Sequence, residues 1–145
     1  EIRALIHTLE QRLNASETAQ GILNAAEYKN EVSARMRLGD DYLTGTFDRM
    51  QKDARGQWEI IDYKTNRINA EQLQAAGAHY HVQMEVYALL LSALFPGQSA
   101  YRVSLYFLEP DRLYSRSYTP GQLEEQRRFY AATIRDIKAR FPLVD

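Results

Sequence analysis

Residues 42–64 read YLTGTFDRMQKDARGQWEIIDYK, and this stretch decides the class of the fold. Tyr42–Met50 is rich in Thr and aromatic residues, which suit the half-buried surface of a strand. Gln51–Gln57 is polar and contains Arg55-Gly56, the composition of a turn. Trp58–Lys64 is strand-like again, with Ile60-Ile61 near its centre. Two such runs about a short polar connection predict an antiparallel hairpin. Taking the turn as centred near Arg55 sets Asp48 opposite Asp62, since each lies seven residues from that centre.

Working outward, Tyr28–Leu38 looks extended and Gly39-Asp40-Asp41 turns it into the hairpin. Further upstream, Ile2, Leu5, Ile6, Leu9 and Leu13 recur at helical spacing. Ser16 is placed to cap a short helix over about Glu17–Ala26. The first helical pattern starts at residue 1 without a capping residue, so the chain is expected to be cut from a longer one. After Asn66 the helical period returns. Ala70–Ala76 predicts a short helix and about His79–Phe95 a longer one, stopped by Pro96-Gly97. Tyr101–Glu109 and Leu113–Tyr118 predict two more strands about Pro110-Asp111. The last helix has Thr119 as its cap, Pro120 at the first helical position and Gln122 three residues after the cap. Its stripe is Leu123, Tyr130, Ile134, Ile137 and Phe141. With no repeat or linker, residues 1–145 read as a single domain. Its predicted class is α/β (α+β): a mixed sheet of about five strands flanked by helices.

Composition narrows the functions. The chain has 145 residues, 45% of them apolar, enough to build one core. It has no cysteine, which excludes disulfides, thiolate zinc sites, an iron–sulfur cluster and a cysteine nucleophile. The longest apolar run, Ala88–Phe95, is broken by Ser92 and falls short of the roughly 18 residues a membrane span needs. No basic stretch precedes an apolar one at the N-terminus. A soluble intracellular domain with no membrane contact is therefore expected. The net charge of -1 does not advertise a polyanionic partner. Residues 1–101 carry 10 basic and 13 acidic side chains, and residues 102–144 carry 8 and 5. A basic C-terminal third can follow a phosphate backbone; on charge alone, an ordinary solvated surface explains it better.

The hairpin holds the chemistry. A period of two puts Asp62 and Lys64 on one face. Directly opposed strand residues have Cβ atoms about 4.5–5.5 Å apart, and like charges there repel. A divalent cation neutralises such a pair, because hard cations prefer carboxylate oxygens. Two acids and a lysine around one metal make a hydrolytic site for phosphodiesters. The metal lowers the pKa of a water and polarises a phosphoryl oxygen, while the lysine orients the water or holds developing negative charge. The same residues also read as turn-proximal surface charges with an exposed Asp62–Lys64 cross-strand pair. Spacing leaves both readings open, and Ile60-Ile61 ahead of Asp62 tilts slightly toward the metal site, because charges closing a doubly apolar strand end are less often plain surface.

The succession Gly45-Thr46-Phe47-Asp48-Arg49, Ile60-Ile61-Asp62-Tyr63-Lys64-Thr65 and Gln83-Met84-Glu85-Val86-Tyr87 resembles the PD-(D/E)XK nucleases. The branch it is most similar to is the RecB/AddA-type nuclease domain, C-terminal in UvrD/Rep-like helicase–nucleases. That branch shows a G-x-I-D-R-like strand, a D-Y-K-T strand and a helix with Q-x-x-x-Y, in this order. Phe47 replaces the usual aliphatic residue, and Asn66 stands where Gly is common. The resemblance implies a restriction-endonuclease-like core. It also implies a Mg²⁺-dependent deoxyribonuclease, an exonuclease of DNA end processing and recombinational repair, with Mn²⁺ able to substitute. Its partners would be DNA and helicase motor domains in the same chain or complex, and the resemblance implies a bacterial-type, cytoplasmic setting. No G-x-x-x-x-G-K-[ST] loop occurs, so the motor is not in this sequence.

Carried over by resemblance, Asp48 and Asp62 are metal ligands, Lys64 is the catalytic lysine, and the Tyr63 backbone carbonyl is a further ligand. Arg3–Glu10 resembles the G-x-x-v-H-x-x-L-E segment of the branch, which would make His7 a ligand as well. Ala4 or Arg3 stands near the usual Gly, and by spacing alone His7 lies off the apolar stripe and reads as exposed. Glu31 matches an acid on the first core strand that supports the site; it reads equally as an exposed carboxylate. Tyr80, Gln83 and Tyr87 share one helix face. The resemblance has Gln83 and Tyr87 lining the cleft to position the lysine and the DNA backbone, core packing with polar tips being the alternative. His79 and His81, two apart on a helix, point to different faces and do not make a joint metal site. Arg127 and Arg128 read as solvated helix charges before phosphate contacts. Rival readings are a catalytically inactive DNA-binding or scaffolding module of the same fold within a helicase complex, and a stand-alone nuclease. Retention of Asp48, Asp62 and Lys64 disfavours the inactive module.

Overall fold

The computed structural model describes residues 2–141. Three strands, β1 (Tyr28–Leu38), β2 (Asp41–Lys52) and β3 (Trp58–Lys64), run antiparallel through two tight turns. Gly39 at φ +64° and Gly56 at φ +80° supply the left-handed backbone those turns require. In the second turn Asp53 Oδ1 accepts hydrogen bonds from the backbone N–H groups of Arg55 and Gln57, at 2.8 and 3.0 Å. The turn is thus shorter than composition predicts, and Gln51 and Lys52 belong to β2. Gln51 is polar but buried, paired across to Glu59.

Parallel neighbours cannot be joined by a tight turn. From β3 the chain crosses over through a 3₁₀ turn (Ala70–Gln72), α3 (Leu73–Ala78) and α4 (His81–Leu94) to β4 (Tyr101–Phe107), parallel to β3. The antiparallel β5 (Arg112–Tyr118) completes a five-stranded sheet in the order β1-β2-β3-β4-β5. Two helices precede the sheet, α1 (Ile2–Ala15) and α2 (Glu17–Leu23), and α5 (Pro120–Arg140) follows it. The mixed α+β architecture is the one expected. Ser16 caps α2 through the Ala19 N–H at 3.1 Å, and Thr119 and Gln122 form the capping box that starts α5. Helix α2 ends at Leu23, short of Ala26, because the Asn24 N–H caps it onto the Gln20 and Ile22 carbonyls.

The two faces of the sheet are covered differently. On one, α4 buries Met84, Ala88, Leu89, Leu90 and Leu91 against Phe47, Met50, Ile60, Val103, Leu105 and Phe107. Each such side chain contributes about 1.5–3 kcal/mol on burial. On the other, α2 lays Ala19 and Ile22 over Ile61 and Tyr106. Ser16 Oγ donates to Asp111 Oδ1 at 2.7 Å and Arg12 donates to the Glu109 carbonyl, fastening α1 and α2 to the β4–β5 turn. No helix among the described residues is long and apolar enough to cross a membrane. His79 and His81 sit on either side of a break, one capping α3 and the other opening α4.

The β2–β3 register has the predicted centre: Lys52 faces Trp58, Gln51 faces Glu59, Met50 faces Ile60 and Arg49 faces Ile61. There the ladder stops. Before Arg49, β2 pairs only with β1; after Ile61, β3 pairs only with β4. The sheet forks between Asp48 and Asp62.

Gly77 sits beneath the Tyr114 ring, where an added Cβ would overlap three ring carbons. Gly77→Ala should lower stability by about 1–3 kcal/mol, seen as a lower urea midpoint at constant slope. Gly21, in α2, has open space around it. Gly21→Ala should raise stability by about 0.5–1 kcal/mol in the same measurement.

Candidate active site

At the fork, a main-chain donor turns to a side chain. The Tyr63 N–H donates to Asp48 Oδ2 at 2.8 Å, where an extended ladder would offer it a carbonyl. Asp62, one residue back, is only 5% exposed. Lys64 follows on the same face, its side chain 13% exposed, with Nζ 2.8 Å from Asp62 Oδ2. The ammonium also donates to Gln83 Oε1 at 2.9 Å and lies 4.0 Å from the centroid of the Tyr80 ring. Two acceptors and an aromatic face hold one cation in place.

Helix α4 supplies that clamp and is itself tied to β2. Gln83 Nε2 donates to Tyr87 Oη at 3.3 Å, and Tyr87 Oη donates to the Thr46 carbonyl at 3.1 Å. Tyr87 also meets Phe47 edge to face at 5.2 Å. The close approach needs a glycine: a Cβ on Gly45 would lie 2.9 Å from Leu90 Cδ1 and 3.3 Å from Tyr87 Cε1. The helical spacing that set Tyr80, Gln83 and Tyr87 on one face thus places all three on the site.

Burial pushes the Asp62 carboxyl up to about 6; the Lys64 ammonium opposes this and the Asp48 carboxylate reinforces it. The Tyr87 phenol is raised by burial first, then by Asp62 and Asp48, so it keeps its proton and remains a donor. Burial likewise raises the Tyr63 phenol, with Arg49 opposing. Among the described residues, Lys64 is the one cation paired with the carboxylates at the fork. This oxygen-rich, under-neutralised pair fits a hard divalent cation.

Other predicted residues lie further out. Glu31 is exposed on β1, between the pairs Asn30↔Arg49 and Val32↔Phe47, at the position opposite Asp48. Its φ of +53° is left-handed, which is uncommon for a residue with a side chain. Both strands change face at this row: Val32 and Phe47 pack toward α4, while Asn30 and Arg49 bond to each other on the α2 side. His7 is exposed on α1. Among the described residues, no three His, Asp or Glu side chains form a group able to hold a metal ion, so the structure gathers the Asp48–Asp62 pair without His7 or Glu31. His81 hydrogen-bonds to the Tyr114 hydroxyl. Arg127 and Arg128 both hold Glu124, at 2.7 and 3.2 Å, as solvated helix charges do.

Arg49 is not among the predicted site residues, yet it is 3% exposed with no carboxylate within 4 Å among the described residues. It donates to the Ile22 carbonyl and to Gln51 Oε1, both at 2.8 Å, and lies 4.1 Å from the Tyr28 ring. The carbonyl end of α2 and the ring compensate its charge. It bolts α2 to the strand that carries Asp48. Its one sequence signal is a charge between Phe47 and Met50, both of which point into the core.

No curated protein matches the chain. Among solved structures, that of SSO0001 shares 19% identity, with 90% of this chain and 60% of that one covered at a TM-score of 0.47. A protein from Eubacterium rectale named as an exonuclease shares 10% identity and the fold, with 96% of this chain and 54% of that one covered at a TM-score of 0.54. The chain therefore spans 54–60% of the length of these structures. The model of the PD-(D/E)XK nuclease superfamily matches residues 2–144, nearly the whole sequence, and it is to this superfamily that the chain belongs.

Proposed function

We propose that residues 1–145 form a Mg²⁺-dependent deoxyribonuclease domain that hydrolyses DNA phosphodiester bonds. It acts as an exonuclease in DNA end processing and recombinational repair, as the nuclease module of a RecB/AddA-type helicase–nuclease. The observation that carries the reading is the Lys64 ammonium, clamped between Asp62 and Gln83 beside Asp48. The superfamily's name and the exonuclease name of the Eubacterium rectale structure point the same way.

Asp48 and Asp62 would hold the cation, with the Tyr63 carbonyl and His7 as further ligands and Glu31 in support. When bound, such a cation lowers the pKa of a water and polarises a phosphoryl oxygen. The chain's own residues do the rest. Lys64 brings a fixed positive charge to the place where the phosphate gains negative charge, and little reorganisation is needed at the moment of reaction. Gln83 aims Lys64, and Tyr87 aims Gln83 while anchoring β2. Tyr80 keeps water from one side of the ammonium, which strengthens its field.

Cleavage of linear single-stranded and duplex DNA is expected with Mg²⁺ or Mn²⁺ and none with EDTA. Lys64→Ala and Asp62→Ala should each lose about 10²–10³-fold in rate or more. Wild-type rates in either variant would show that the site lies elsewhere. Gln83→Ala, which frees the ammonium, should lose roughly tenfold in kcat, within the range such positioning contributes.

A pH dependence follows from Asp62. Below about pH 6 its carboxyl is protonated and holds a cation poorly. Calorimetric Mn²⁺ affinity should rise from pH 5 to 7 and then level off. Without metal, the folded chain binds more protons than the unfolded one between the ordinary carboxylate range and about pH 6. Metal-free stability should therefore decline as pH rises through that window, and Asp62→Asn should abolish this part of the decline. A flat profile in both proteins would mean that Asp62 titrates normally.

A further inference from the structure

The face of the β1–β2 ribbon turned away from the core carries Ser33, Arg35 and Arg37 on one strand and Thr46, Thr44 and Tyr42 directly opposite them. All six are exposed, Tyr42 by 56%. Their alternating neighbours, among them Val32, Met36, Leu43 and Phe47, pack into the core. These six side chains bring two cations, three aliphatic hydroxyls, one phenol and no acid. It arises within residues 1–101, where acids outnumber bases by 13 to 10. Arg35 and Arg37, like most of the chain's basic side chains, have no carboxylate within 4 Å among the described residues, and Arg37 Nε donates to the Gly39 carbonyl at 2.9 Å.

We infer that this face is a track for one unpaired DNA strand, leading along the ribbon to the fork. Cations beside an exposed ring are the means by which proteins hold single strands: the cations follow the phosphates and the ring stacks on a base. The Arg35 guanidinium lies over the Tyr42 ring, 4.6 Å from its centroid, and Tyr42 stays 56% exposed. The Ser33 and Thr46 hydroxyls, 3.2 Å apart, offer donors to phosphate oxygens. A shallow groove of about 340 Å³ crosses the ribbon at Ser33, Arg35, Thr44 and Thr46. Residues two apart along a strand are about 6.7 Å apart, so Thr46, Thr44 and Tyr42 form a regular row. The row runs up to the fork: the next residue but one after Thr46 is Asp48, at the row where both strands change face and the ribbon opens toward the α4 side. Charges on an edge strand also deter pairing with other chains, which accounts for the arginines but not for Tyr42 or the missing acids. A duplex keeps its base faces stacked, so the ring is of use only to an unpaired strand.

The inference rests on the nuclease reading for its direction toward the fork, and its test needs no cleavage. Anisotropy of a labelled oligothymidylate of about 16 nucleotides is measured in EDTA across a salt series. Arg35→Glu and Arg37→Glu should each weaken binding several-fold and reduce the log–log salt slope by about 0.7. Tyr42→Ala should weaken binding by about 5- to 100-fold, with Tyr42→Phe near wild type. Arg55→Glu, the same charge change in the β2–β3 turn, should stay within twofold. Unaltered affinity and slope in the ribbon variants overturns the track whether or not the chain cuts DNA. Equal affinity for a blunt duplex, with Tyr42→Ala unaffected, overturns the preference for an unpaired strand. Ribbon-dependent binding by a chain that cuts nothing with Mg²⁺ or Mn²⁺ overturns the nuclease reading and supports the track.

Discussion

One hydrogen bond organises this molecule: the Tyr63 N–H given to the Asp48 carboxylate rather than to a neighbouring carbonyl. A buried backbone donor must find an acceptor, and a carboxylate is a strong one. With that need met by a side chain, β2 is free to leave β3 and continue with β1 alone. The fork brings two carboxylates together without closing a ladder over them. The bend shows in the backbone as well, where Glu31 takes a left-handed φ beside the row at which both strands turn over.

The fork is held from both faces. On one, Gly45 lets α4 come close enough for Tyr87 to reach the Thr46 carbonyl. On the other, Arg49 reaches the last turn of α2. Consecutive residues Asp48 and Arg49 thus serve opposite sides of the sheet. Burying Arg49 without an acid is tolerable because a helix carbonyl, a side-chain amide and a ring share its charge. That arrangement leaves both carboxylates of the fork uncommitted to any structural arginine.

Much of this was legible in the sequence, and for identifiable reasons. The hairpin centre, the capping residues of α2 and α5, and the common face of Gln83 and Tyr87 depend on local spacing, which the chain states directly. The fork was not legible. A register drawn from a turn predicts a continuing ladder, and only the Asp48 side chain shows that it stops. The break between α3 and α4 was legible but misplaced: two helices are predicted there, and the break falls at His79-Tyr80, two residues later than expected. Arg49 was hidden because a charge in a strand reads as surface. The Thr46 anchor is a carbonyl, and main-chain groups leave no trace in a residue pattern.

The parallel β3–β4 pairing has a consequence for how the chain folds. Asp48, Asp62 and Lys64 come from one hairpin, a local structure that closes quickly. Gln83 and Tyr80 arrive only after the crossover has brought α4 back onto the sheet, a contact of longer sequence separation and slower formation. By sequence separation alone, the acid pair is expected to form before its lysine is clamped. A ligand held by the hairpin alone would act on the part expected to form first, and so would speed folding more than it slows unfolding.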